Sequence, residues 1–168
     1  MNFVEDVIIG RRSVRKYTGE PITQEEIDAM VKACFYAPTA MNKNPRSLIV
    51  VTEKEKLERI ANAHPYAKFT KDAPLAMVLC ANTKETRLDF HIDDCAASAQ
   101  NILLAAKAMG IGSCWCDVYH QPTAKTFAEM FAVPEGVVPY ALIVLGHPAE
   151  EGKTPERDIE NAVHYNNW

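Results

Sequence analysis

Residues 11–17 read RRSVRKY and place Arg11, Arg12, Arg15 and Lys16 within six positions of a chain whose formal net charge is −4. Arginine forks match a phosphate bidentately, and a serine hydroxyl such as that of Ser13 adds a further hydrogen bond. Charge-assisted bonds of this kind are worth about 1.5–3 kcal/mol each. The run therefore has the chemistry of a site for one small anion. A basic run is more often a solvated face, so pattern alone leaves both readings open. A second polar stretch, PTAMNKNPR at 38–46, is rich in turn formers and donors and follows a helical segment.

Several other chemistries lack their residues. Gly110 and Gly112 do not complete G-x-G-x-x-G, and they follow a helix rather than a strand. There is no phosphate-binding G-x-x-x-x-G-K-[ST] and no G-x-S-x-G elbow. His64, His91, His120, His147 and His164 form no i, i+4 pair, which weakens any metal reading. Asp93 and Asp94 are adjacent and cannot share a helix face, so they are expected to favour the N-terminal end of a helix through its dipole. Cys34, Cys80, Cys95, Cys114 and Cys116 form an odd set without C-x-x-C, indicating neither a disulfide framework nor zinc. Reduced, buried thiols are expected. Cys114 and Cys116 share one face of a strand and read as packing, because no cation adjoins them in sequence.

The elements that must position the two polar loops follow from periodicity. Residues 2–10 read as a short helix with Phe3, Val4, Val7 and Ile8 on one side. Thr23 and Glu26 form a capping box opening a helix that Pro38 stops. SLIVV (47–51) reads as a strand, 54–63 as a helix, and LAMVLCA (75–81) as a buried strand. An alanine-rich helix runs over 93–109 with Gly110 at C′, followed by the strand GSCWC (112–116), a helix over 123–131 and the strand ALIVLG (141–146). The polar tail is expected to wrap over the surface.

Unbroken apolar strands alternating with amphipathic helices predict an α+β, three-layer α-β-α sandwich with a mixed central sheet of four or five strands. With 168 residues, 48% of them hydrophobic, a single domain over 1–168 is expected. The acidic balance argues against nucleic-acid binding. No segment approaches the roughly 18 apolar residues of a membrane span. The N-terminus lacks the basic region of a signal peptide. A cytoplasmic protein is expected.

Taken in order, RRSVRKY, APTAMNKNP, AASAQNILLAA, GIGSCW and the closing HYNNW resemble the FMN-dependent nitroreductase family over nearly the whole chain. The resemblance implies a homodimer with FMN at the subunit interface, reached by both subunits. It implies that Arg11 and Ser13, with Arg12 beside them, grip the phosphate and ribityl chain, and that Arg15 lies against the pyrimidine edge. Pro38, Thr39, Ala40 and Asn42 would cover the ring from the other subunit. Cys114, Trp115, Cys116 and Asp117 would pass behind it, and Arg157 with Lys153 would complete the phosphate clamp. Lys16 remains a solvated neighbour. From the residues alone, Ser13 and Asn42 also suit turns and Trp115 suits a core.

The implied reaction is ping-pong. NADH or NADPH reduces the flavin and leaves, then a flat small-molecule acceptor such as a quinone or nitroaromatic takes its place. No catalytic side chain is required beyond the electrostatic role of Arg15. Arg46 stands where the family often has an aromatic, and Asp117-Val118 replaces a variable segment. Asn62 and His64 are both candidates for a further flavin contact. Three competing readings remain: a flavin-binding redox sensor or store with little turnover, a different reaction on the same fold, and an anion-binding protein without flavin.

Overall fold

The structure, a computed structural model, describes residues 2–85, 89–150 and 152–168. A π-helical segment, Phe3–Ile9, is capped by the Asn2 side chain, which accepts from the amides of Val4 and Glu5. Only Val7 of this segment is buried; Phe3, Val4, Ile8 and Ile9 are about half exposed. Apart from Val7, the expected apolar side therefore lacks cover within one chain.

Helix α1 (Gln24–Phe35) starts at the predicted capping box, with the Glu26 amide donating to Thr23 Oγ1 and the Thr23 amide donating to Glu26 Oε2 at 2.8 Å. Strand β1 (Arg46–Val51), helix α2 (Lys54–Ala63) and strand β2 (Leu75–Asn82) follow. Helix α3 spans Phe90–Ala108, beginning three residues before the expected start, and Gly110 takes the C′ position at φ +77°. Strand β3 (Gly112–Asp117), helix α4 (Thr123–Met130) and strand β4 (Val137–Gly146) complete the order.

The four strands lie in the order β1-β2-β4-β3, and every pairing between them is antiparallel. The expected mixed character is confined, among the described residues, to a single parallel bridge between Ser13 and Ser113. Apolar runs alone do not distinguish parallel from antiparallel neighbours when both faces are covered. β4 also starts four residues earlier than expected. Its register shifts beside Leu79 and Cys80, leaving Tyr140 as the extra residue and seating Pro139 beside the bulge. The freed Tyr140 carbonyl accepts the amides of Val118 and Tyr119, at 3.3 and 3.0 Å, and so turns the chain after β3.

Alternation along the strands builds two cores. Leu75, Met77, Leu79, Ile143 and Leu145 pack on α1 and α3. Ala76, Val78, Cys80, Leu142, Val144, Cys114 and Cys116 pack on the opposite side with Leu57, Ile60 and Phe127. Each fully buried Leu or Ile contributes about 1.5–3 kcal/mol of transfer free energy. The result is the three-layer α+β sandwich, with β3 at one edge.

Candidate flavin site

The basic run is held against that edge. The Val14 amide donates to the Ser113 carbonyl at 2.9 Å, beside the Ser13–Ser113 bridge. Gly112 makes this approach possible, since a Cβ there would stand 2.9 Å from the Val14 side chain. Buried Tyr17 locks the end of the run by donating to the carbonyls of Val14 (2.7 Å) and Val144 (3.2 Å). Burial pushes its phenol pKa well up, so it stays a donor.

Several cavities touch this run, and two of them bear on the expected site. One, about 320 Å³, is lined by Arg11, Arg12, Ser13 and Arg157 with Ile8 and Pro155. Arg12 Nε donates to the Lys153 carbonyl (2.8 Å) and its Nη1 to the Ile9 carbonyl (2.7 Å) and to that of Arg11. Its Nη2 is buried with no hydrogen-bond partner. Arg12 thus ties the tail to the N-terminal helix and retains one uncommitted donor nitrogen, with two N–H groups. Lys153 contributes its backbone carbonyl to this tie. Lys16 instead pairs with Glu150 at 2.8 Å on the surface and lines neither cavity.

The second cavity, about 420 Å³, is lined by Arg15, His64, Tyr66 and residues Cys114, Trp115, Cys116 and Asp117. His64 is buried. Its Nδ1 accepts the Tyr66 amide at 3.2 Å, which leaves Nε2 to donate to the Asp117 carbonyl at 2.8 Å. Of the two candidates between β1 and β2, His64 is the one that lines this cavity. Asn62 is exposed, and its carbonyl accepts Lys68 Nζ. The Asp117 carboxylate accepts from His120 and Gln121 and is held below the ordinary carboxylate range by those bonds against the opposing effect of desolvation.

Cys114 and Cys116 pack in the core as expected, but the premise that no cation reaches them fails. A hydrogen bond from Cys116 lowers the Cys114 thiol pKa, and Arg15, Arg11 and Ser13 add to this against burial; Cys116 is correspondingly pushed up. No neighbour in sequence announces those cations, because the contact is made across the Val14–Ser113 pairing. Trp115 faces the opposite side and packs against Tyr140, centroids 6.1 Å apart.

Pro38, Thr39, Ala40 and Asn42 line neither cavity of their own chain. Their loop is docked on α3, where the Ala40 amide donates to Asp94 Oδ1 at 2.8 Å. Asp94 is thus buried and committed to the loop, while Asp93 lies in the first turn of α3 as the dipole argument expects. Sequence spacing carried no signal for this role of Asp94. The arrangement fits a ligand with an anionic end among Arg11, Ser13 and Arg157 and a flat end beside Arg15 and β3.

A model of the nitroreductase family matches residues 8–82 and 62–147 of the chain. A protein of Methanothermobacter thermautotrophicus named NADH dehydrogenase/NAD(P)H nitroreductase is 36% identical over 167 residues, covering 98% of this chain and 87% of that one. The crystal structure of a Bacteroides thetaiotaomicron protein bearing the same name superposes with a TM-score of 0.94 at 33% identity, covering 100% of this chain and 99% of the other. An FMN-dependent nitroreductase from Clostridium difficile superposes with a TM-score of 0.91 at 31% identity, covering 98% and 99%.

Proposed function

The chain belongs to the nitroreductase family, and we propose that it is an FMN-dependent NAD(P)H oxidoreductase that passes electrons to flat acceptors such as quinones or nitroaromatics. The observation that carries this reading is the single run from Arg11 to Arg15, which lines an anion-suited cavity at one end and a β3-walled cavity at the other. FMN has that shape of chemistry: a phosphate on a polar chain, joined to a flat ring. When bound, it supplies the two-electron chemistry between nicotinamide and acceptor.

The chain's own residues bind and polarise. Arg11, Ser13 and Arg157 hold the phosphate, with the free Nη2 of Arg12 as a further donor. Arg15 keeps a fixed positive charge beside the ring and favours negative charge developing there, as preorganised donors do at oxyanions. His64 fixes the end of β3 through the Asp117 carbonyl, and with both ring nitrogens engaged it orients the wall rather than moving a proton. One face of the ring must stay open for nicotinamide and acceptor to alternate, which makes the kinetics ping-pong.

The working unit is a homodimer with the flavin at the subunit interface. Supporting this, the loop carrying Pro38, Thr39, Ala40 and Asn42 lines neither cavity of its own chain. Residues 152–168 are exposed throughout, with Trp168 fully exposed, and Phe3, Val4, Ile8 and Ile9 lack cover. The five free thiols suit a reducing, cytoplasmic setting, and among the described residues no helix is long and apolar enough to cross a membrane. Titrating FMN into the purified protein while following flavin fluorescence tests the binding. Saturable quenching with one FMN per chain is expected, and free-flavin fluorescence at every protein concentration would overturn the assignment.

A further inference from the structure

Arg46 opens β1 immediately after Pro45, and only 6% of it is exposed. Its guanidinium is committed to three segments at once. Nη2 donates to the carbonyls of Phe35 (3.2 Å) and Ala37 (3.1 Å) at the end of α1 and to Asn44 Oδ1 (3.0 Å). Nη1 donates to Ser98 Oγ on α3, and that hydroxyl in turn donates to the Asp94 carbonyl at 2.7 Å. The last carbonyls of a helix are unpaired acceptors at the negative end of its dipole, so a buried cation is well placed there.

The loop held in this way has bonds of its own, from the Asn42 amide to the Thr39 carbonyl (3.0 Å) and the Lys43 amide to the Ala40 carbonyl (3.2 Å), but it also carries backbone strain. Met41, Asn42 and Asn44 have φ values of 53°, 54° and 51°, in the left-handed region that residues with a side chain rarely adopt. Two anchors fix it. Asp94, 4% exposed, takes the Ala40 amide. Asn44 links Arg46 to the outer face of the loop, with its amide donating to Thr39 Oγ1 (3.1 Å) and its Nδ2 to the Asn42 carbonyl (3.1 Å). A chain of contacts therefore runs from a buried cation through Asn44 to exposed Asn42.

We propose that Arg46 is a positioning residue of the flavin site: through Asn44 and the α1 terminus it presets Thr39, Ala40 and Asn42 for the flavin of a second copy of this chain. This rests on the flavin and dimer readings above. Arg46 does so by binding the α1 terminus, the loop and α3 into one rigid unit, a role that a flat apolar side chain at this position would have to fill by packing alone.

The test compares the wild type with Arg46→Met and Asn44→Gly. The glycine keeps the left-handed backbone accessible, removes the link to Asn42 and leaves Arg46 bonded to Phe35, Ala37 and Ser98. Amide hydrogen exchange on FMN-free protein reads the loop without reference to flavin. The Ala40 amide should exchange on the order of tenfold faster in both variants, and the Asn44 amide likewise in Arg46→Met, while the β2 amides stay protected. At saturating FMN, the visible circular dichroism of the flavin should change, and KM for a quinone should rise on the order of tenfold by misplacement of the site. Unchanged exchange in Asn44→Gly overturns the proposed lock, even if Arg46→Met fails to fold. Faster exchange with unchanged flavin dichroism and KM makes Arg46 structural only and also overturns the proposal. A wild-type protein that takes up no FMN overturns the flavin reading itself. It would be recognised before any variant is compared, and the role of the loop at flavin would fall with it.

Discussion

The amide of Val14 donates to the carbonyl of Ser113 at 2.9 Å, and this contact between residues nearly a hundred positions apart lays the basic run along the edge strand. It brings Arg15 to the cavity that Cys114 and Cys116 wall, and it leaves Arg11 and Ser13 at the neighbouring cavity with Arg157.

A side chain at position 112 should separate the two. In Gly112→Ala the new Cβ would stand 2.9 Å from three carbons of Val14, so the run must move. Overpacking of this kind costs about 1–3 kcal/mol. A lower melting temperature together with weaker FMN binding is expected from a thermal melt and a flavin titration.

Arg11 and Arg15 should separate binding from turnover. Arg11→Ala removes a charge-assisted contact worth about 1.5–3 kcal/mol, which corresponds to a weakening of FMN binding by roughly 10–100-fold. Arg15→Ala should lower the rate of flavin reduction by NAD(P)H more than it lowers flavin retention. Stopped-flow reduction and equilibrium titration on the same preparations distinguish the two. Equal losses in Arg15→Ala would make it a simple binding residue.

Alkali should destabilise the fold through its buried thiols. Burial pushes Cys34 up to about 11, and Cys80 and Cys95 up to about 12, from an ordinary value of 9.0. Between those values the unfolded chain loses thiol protons that the native state keeps. The native state then binds more protons, and stability falls as pH rises. The stability they contribute is full below pH 9 and is lost toward pH 11–12, by up to about 1.4 kcal/mol per thiol per pH unit. Urea midpoints should decline from pH 9 upward, and Cys80→Ala should flatten part of that decline.

The tail should matter for assembly more than for the fold of one chain. Removing residues 158–168 keeps Arg157 but deletes Ile159, Val163, Tyr165 and Trp168, all of them exposed. Sedimentation should show a larger monomer fraction with little change in far-ultraviolet dichroism. An unchanged dimer would place the contact elsewhere.

Much of the framework is legible in the sequence because it is local. The Thr23–Glu26 box, the Gly110 terminus and the apolar runs of β2 and β4 each announce themselves within a few residues. What was not legible depends on distant partners. Val137–Tyr140 hid its strand character behind Pro139, which only the bulge opposite Leu79 and Cys80 accommodates. Asp94 looked like a dipole charge until the loop 54 positions away in sequence delivered the Ala40 amide to it. The Cys114 thiol is lowered first by Cys116 two residues on, but also by Arg15 and Arg11 about a hundred residues earlier, which no local spacing announces. Arg46 was visible as a departure from the family pattern, but its three segments converge only in the folded chain.

The visible absorbance spectrum of the purified protein, before and after anaerobic NADH, tests the central claim most directly. A yellow protein is expected, or one that becomes yellow with added FMN, that bleaches with NADH or NADPH and regains its colour with a quinone. A protein that stays colourless in excess FMN, or whose bound flavin neither nicotinamide reduces, would contradict it.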